Sequence, residues 1–146
     1  MRLSRLIGEK MLESSLTTYH NQIIDYSVGT PVTVEFNFER IWEFKRSLKE
    51  EFQPHLLNFY HVHPKGLITY SRLDEICMEG FFIAFGYPIY FAIITFSNSD
   101  LFDISVQYNA FEYPKKDVIN KTGIECLTND QLLLLKFLSY GVMREK

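Results

Sequence analysis

Apolar and polar positions recur along the 146-residue chain with two periods, and the change from one to the other predicts its elements. Ser15 to Tyr19 and Ile23 to Val28 are rich in β-branched and aromatic residues, which predicts strands within 11–20 and 22–28 around a tight turn at His20-Asn21. Val32-Thr33-Val34-Glu35-Phe36 alternates, the pattern of a half-buried strand. From Asn37 or Glu39 to about Phe52, the residues Ile41, Phe44, Leu48 and Phe52 fall on one helical face, widened by Trp42, and Pro54 ends that helix. Leu56 to Tyr60 reads as a strand leading into His61. Ser71 can cap a helix starting at Arg72, expected to turn Leu73, Ile76, Cys77 and Phe81 inward. Ile89 to Phe96 is almost uninterrupted apolar sequence, expected of a central strand, and Leu101 to Phe111 is a further strand candidate. Thr128-Asn129-Asp130 is an N-cap cluster before a helix over 131–143, with Leu132, Leu135, Leu138 and Val142 inside.

Strands with a helix on either side of the one ending at His61 give a mixed-sheet α/β domain of three layers. A single domain over 1–146 fits the length, with no repeat or linker to divide it. Nearly half the residues (47%) are apolar, which places the chain among globular proteins. Fifteen basic against 18 acidic residues give a net charge of −3, and no basic cluster interleaves with aromatics; a nucleic-acid partner is not expected. Cys77 and Cys126 form no CxxC pair and are expected as reduced thiols. The longest apolar run, Phe81 to Phe96, is broken by Gly86 and Pro88 and falls short of a membrane helix. A soluble, cytoplasmic protein without membrane contact is expected.

Candidate chemistry concentrates in His61-Val62-His63-Pro64 and Ser71-Arg72-Leu73-Asp74. Residues two apart on a strand point to one face, so His61 and His63 can share a metal ion. Pro64 has no N–H for the ladder and turns the chain out of the strand, with Lys65-Gly66 continuing the turn. Asp74, in the first turn of the following helix, can reach back over the strand end. Two imidazoles and a carboxylate form a three-ligand set of the kind that holds catalytic zinc with one position open. Ser71 would lie near the metal with a hydroxyl for the oxyanion of a tetrahedral intermediate. Singly, His-X-His is common and Ser-X-X-Asp is an ordinary helix cap. Five specified residues at this spacing are expected by chance less than about once in ten thousand chains of this length.

These residues resemble the signature of the JAMM/MPN⁺ (JAB1/MPN/Mov34) metalloproteases: a distant Glu, then HxHP, about six residues, then SxxD. The resemblance extends over residues 9 to 111, with Tyr87-Pro88 leading into a strand. It implies a cytidine-deaminase-like α/β/α fold and a zinc-dependent peptidase or isopeptidase, in which a zinc-bound water attacks an amide or isopeptide bond. The substrate would be a protein or peptide, with ubiquitin or a ubiquitin-like protein one such case. Carried over, His61, His63 and Asp74 are zinc ligands and Ser71 stabilises the oxyanion. The family's general base corresponds best to Glu13, just before the first strand, with Glu9 and Glu35 as alternatives. Ser14-Ser15-Leu16 departs from the family's glycine-rich strand there. The chain also lacks room for the long insertions with which some members grip two ubiquitins.

Three other readings compete. An inactive MPN-type scaffold or interaction module would ordinarily lose a ligand, and this chain keeps all three together with Ser71. An amidohydrolase also opens with His-X-His but needs a barrel of about 250 residues. A zinc nucleoside deaminase needs a Pro-Cys-X-X-Cys pair, which this chain lacks. Neither the substrate nor the oligomeric state is readable from the sequence.

Overall fold

The computed structural model describes residues 11–31, 33–63, 70–115, 117–119 and 127–140. Strands β1 (Ser14–Tyr19) and β2 (Gln22–Val28) form the expected hairpin. Its turn residues His20 and Asn21 both have positive φ (52° and 67°), the left-handed turn geometry that follows the twist of paired strands. β1 also pairs antiparallel with β3 (Leu57–Val62), which runs parallel to β4 (Ile89–Phe96). β5 (Val106–Tyr113) and the short β6 (Asp117–Ile119) complete a mixed six-stranded sheet in the order β2-β1-β3-β4-β5-β6.

Helices cover both faces of the sheet. On one face, α1 (Phe38–Leu48) and α2 (Arg72–Phe85) set Ile41, Met78 and Phe81 against Phe59, Phe91 and Ile93. On the other, α3 (Asn129–Ser139) packs Leu135 among Leu16, Tyr60, Val62 and Ile94. β3 and β4 are almost wholly buried, which is why Ile89 to Phe96 is apolar at successive positions instead of alternating. α2 is the crossover between these two parallel strands. It starts on a capping box at Ser71 and ends on Gly86, whose φ of +80° suits a residue without Cβ. No described helix is long and apolar enough to cross a membrane.

Several elements depart from expectation. The run 33–37 is extended but belongs to no strand; Val32 lies outside the described residues. Side chains of β2 hold it instead of a backbone ladder: the Ser27 hydroxyl donates to the Glu35 carbonyl (2.7 Å), and Asp25 Oδ2 accepts from the Asn37 N–H (3.3 Å). Gly29 permits the close approach, since a Cβ there would meet the Thr33 carbonyl oxygen at 2.1 Å. α1 stops at Leu48, where Lys49 takes a positive φ and a 3₁₀ turn follows, so Phe52 stacks on Tyr19 from outside the helix. α2 buries Asp74, Met78, Phe81 and Phe85, whereas Leu73 and Ile76 are 58% and 49% exposed. The helix is apolar nearly all round, so its phase is set by Asp74, which must face the sheet to meet the histidines. β5 begins at Val106, because residues 98–105 form turns closed by Asn98, Asp100 and Asp103. α3 ends at Ser139 with Gln131, Leu135, Leu138 and Ser139 buried and Leu132 only half-buried; Val142 lies outside the described residues.

Candidate metal centre

His61 is the fifth residue of β3, and His63 follows its end, where its backbone N–H still donates to the Ile94 carbonyl (2.9 Å). The two-residue spacing puts both rings on the face covered by α1 and α2. The rings meet edge to face at 4.7 Å, and both residues are buried. β1 runs antiparallel with Ser15 opposite His61 and Ser14 opposite Val62, so continuing the register sets Glu13 beside His63 on the same face. Backbone bonds to the far end of β2 hold Glu13 in place: its N–H donates to Thr30 O (2.8 Å), and its carbonyl accepts from the Gly29 N–H (2.9 Å). Its carboxylate then reaches His61, with Oε1 2.6 Å from Nε2.

Asp74 arrives from the crossover helix. The Ser71 hydroxyl accepts from the Asp74 N–H (3.1 Å), and Asp74 Oδ2 accepts from the Ser71 N–H (2.8 Å). This reciprocal cap fixes the carboxylate at the helix N-terminus. Oδ2 also lies 3.0 Å from His63 Nε2, and Oδ1 2.7 Å from His61 Nδ1. Glu13, His61, His63 and Asp74, separated by as many as 61 residues, thus converge in one buried cluster. Ser71 stands at its edge, exposed. Glu35 is exposed on the tethered segment, while its neighbours Val34 and Phe36 face the site. Glu9 and Pro64 lie outside the described residues.

The cluster is electrostatically tense. Burial alone would depress the His61 pKa, but the Asp74 and Glu13 carboxylates outweigh it and lift the imidazole to about 9. Burial would likewise raise Asp74; contact with His61 and His63 instead holds its carboxyl well below the usual carboxylate range. A proton on His61 is thus what balances the two carboxylates. A divalent cation does the same more directly, and Glu13, His61 and His63 can each offer one donor atom, all within 4.8 Å of one another. His61 Nδ1 gives a further sign. It is fully buried and close to Asp74 Oδ1, yet has no partner aligned for a hydrogen bond. The residues therefore fit a metal ion.

A small cleft opens onto the cluster. Glu13, His61 and Asp74 form its floor, Val34 and Phe36 one wall, and Ser71 and Leu73 the opposite rim. Phe36 presents its edge to His61 with ring centroids 6.4 Å apart. Cys77 also lines the cleft; burial, reinforced by the Asp74 charge, pushes its thiol up to about 12, so it remains protonated at neutral pH. The roles of Val34, Phe36 and Leu73 were not signalled by residue type. Leu73 could have been suspected from its place inside Ser71-Arg72-Leu73-Asp74, whereas the wall depends on how residues 33–36 fold back across β2. Neither the protein-family models nor the curated proteins with which the chain was compared match it.

Proposed function

We propose that this chain is a zinc-dependent metallopeptidase or isopeptidase of JAMM/MPN type, hydrolysing an amide bond in a protein or peptide, including a ubiquitin-like conjugate. The observation that carries the reading is the convergence of Glu13, His61, His63 and Asp74 in one buried cluster, of which Glu13, His61 and Asp74 line a small cleft. Two imidazoles and carboxylates are a donor set suited to zinc. In this reading His61, His63 and Asp74 hold the ion. Bound there, zinc polarises the scissile carbonyl and makes water acidic enough to act as nucleophile near pH 7.

The chain's own residues do the rest. Glu13 sits on the floor beside His61, placed to take a proton from the attacking water and return it to the leaving amine. The Ser71 hydroxyl oxygen accepts the Asp74 N–H, which leaves its own hydrogen to donate to the carbonyl oxygen as negative charge develops. Val34 and Phe36 limit water on the wall side, so the proton on Glu13 has few other places to go. The decisive experiment measures zinc content together with cleavage of a panel of ubiquitin-like fusions and isopeptide conjugates, with and without a chelator. Bound zinc with chelator-sensitive cleavage supports the reading; protein that takes up no zinc and cleaves nothing points to the inactive scaffold.

A further inference from the structure

Glu13 stands closer to His61 than the work of a base requires. Its Oε1 is 2.6 Å from His61 Nε2, in direct contact. Two atoms that ligate one tetrahedral zinc stand about 3.3 Å apart, whereas a carboxylate that reaches the ion through a water stands roughly 4 Å or more from a ligating nitrogen. The pairs in this cluster, 2.6 Å here and 3.0 Å between Asp74 Oδ2 and His63 Nε2, are at direct-ligand spacing. A cation entering between them has to spread each pair by less than about 1 Å. Glu13, His61 and His63 also bring one donor atom each within 4.8 Å of the others.

The backbone of Glu13 is fixed on both sides. Its N–H and carbonyl are bonded to Thr30 and Gly29. The two serines that follow are fully buried, and the hydroxyl of each is tied to another element, Ser14 to Ser139 of α3 (2.7 Å) and Ser15 to Ser27 of β2 (2.6 Å). Only the buried Glu13 side chain is left to move. We infer that, with zinc bound and no substrate present, the Glu13 carboxylate is a fourth protein ligand beside His61, His63 and Asp74, so that the chain caps its own site. The inference rests on the zinc reading above and gives it a resting state. Four protein ligands make the closed arrangement of a structural zinc, three the open arrangement of a catalytic one, and Glu13 passes the site from one to the other. When a substrate fills the cleft between Val34, Phe36 and Leu73, the carboxylate gives up its position and is free to act as the base. Contacts remote from the scissile bond drive that exchange, so small amides that lack them are poor substrates.

Cobalt(II) in place of zinc in the purified chain, titrated with azide and followed by the visible spectrum of the metal, tests this without any substrate. Azide binds where a ligand position is open. Glu13→Asp keeps the charge but draws the carboxylate back by a methylene, while His61, His63 and Asp74 still hold the metal. Azide should half-saturate this variant at a concentration at least about tenfold lower than the unaltered chain, in which the position is open only a small fraction of the time. Equal half-saturation overturns the inference and leaves the proposed hydrolase standing; a chain that takes up neither cobalt nor zinc overturns both. A crystal structure of the zinc-loaded, substrate-free chain needs no variant: a Glu13 oxygen about 2.0–2.2 Å from the ion upholds the inference, and a water between them overturns it.

Discussion

The two faces of the sheet each bury charge, and they do so in opposite ways. On the α3 face, Lys136 is fully buried, its ammonium donating to the backbone carbonyls of Asp100 and Asp103 and lying 5.2 Å and 5.5 Å from the ring centroids of Phe96 and Tyr140. Burial lowers its pKa, opposed by the charges of Asp103 and Asp100. Its acceptors are neutral carbonyls on one loop. On the α1/α2 face, by contrast, two carboxylates crowd two imidazoles, one ring nitrogen lacks an aligned partner, and a cleft leads to the group. Lys136 is complete with what the fold supplies and closes the 98–105 loop onto α3. The histidine cluster is balanced by a proton on His61, and its donor atoms lie close enough together that it could hold a metal ion instead.

That contrast breaks most sharply at Glu13. Glu13→Gln keeps the hydrogen-bonding shape but removes the base, and should lower kcat by about 10²- to 10⁴-fold in a steady-state cleavage assay while zinc content is unchanged. His63→Ala or Asp74→Ala should abolish zinc and hydrolysis together. Asp74→Ala should also lower the melting temperature of the metal-free protein, because it removes half of the reciprocal Ser71 cap and a carboxylate that balances the His61 proton, and His63→Ala should lower it less. Loss of the metal-free fold in these variants would show that the cluster is structural, like Lys136. Next in size, Lys136→Ala should cost about 2–5 kcal/mol by denaturant titration, because it empties packed volume and removes the donor that closes the 98–105 loop. Zinc stoichiometry should not change.

Ser71 joins the two kinds of role. Ser71→Ala should lose about 1 kcal/mol of stability with the cap and roughly 100-fold in kcat with the hydroxyl. Ser71→Asn, a competent cap, should restore the stability but not the rate. If both return, Ser71 acts through the helix alone. The smallest expected effect is at Asp25, whose buried carboxyl is raised above its ordinary value by desolvation, against the Asn37 N–H and the Arg40 charge. A folded-state pKa above the unfolded one means that ionisation costs stability, a cost absent at pH 3 and developing as pH rises through the folded pKa. Asp25→Asn should therefore gain under about 1 kcal/mol at pH 7 and nothing at pH 3, read from paired thermal melts.

The hairpin, β3 and β4 were legible, and so was the grouping of His61, His63 and Asp74, because each follows from short-range rules. Side-chain alternation paired His61 with His63, and the Ser71 cap fixed where Asp74 lies on its helix. Glu13 required a partner strand: only the antiparallel register of β1 against β3 brings it to the histidines from 48 positions away. The phase of α2 was illegible by periodicity, since Leu73, Ile76 and Ile83 offer an apolar face as good as Met78, Phe81 and Phe85. A buried carboxylate decided between them. The segment 33–37 alternates like a strand, yet its attachment is made by the side chains of Asp25 and Ser27, which no pattern in its own sequence records.

That attachment divides the cleft into parts of unequal permanence. The floor belongs to β1 and β3 at the centre of the sheet, whose backbone bonds break only with the whole domain. The wall, Val34 to Phe36, is fastened to β2 by one hydroxyl and one carboxylate, bonds of about 1 kcal/mol each, while Phe36 also packs against Phe59, Phe81 and Phe91 of the core. Val34 and Glu35 can therefore shift in local fluctuations while Phe36 moves only with the core, so the entrance is more adjustable at Val34 than at its floor.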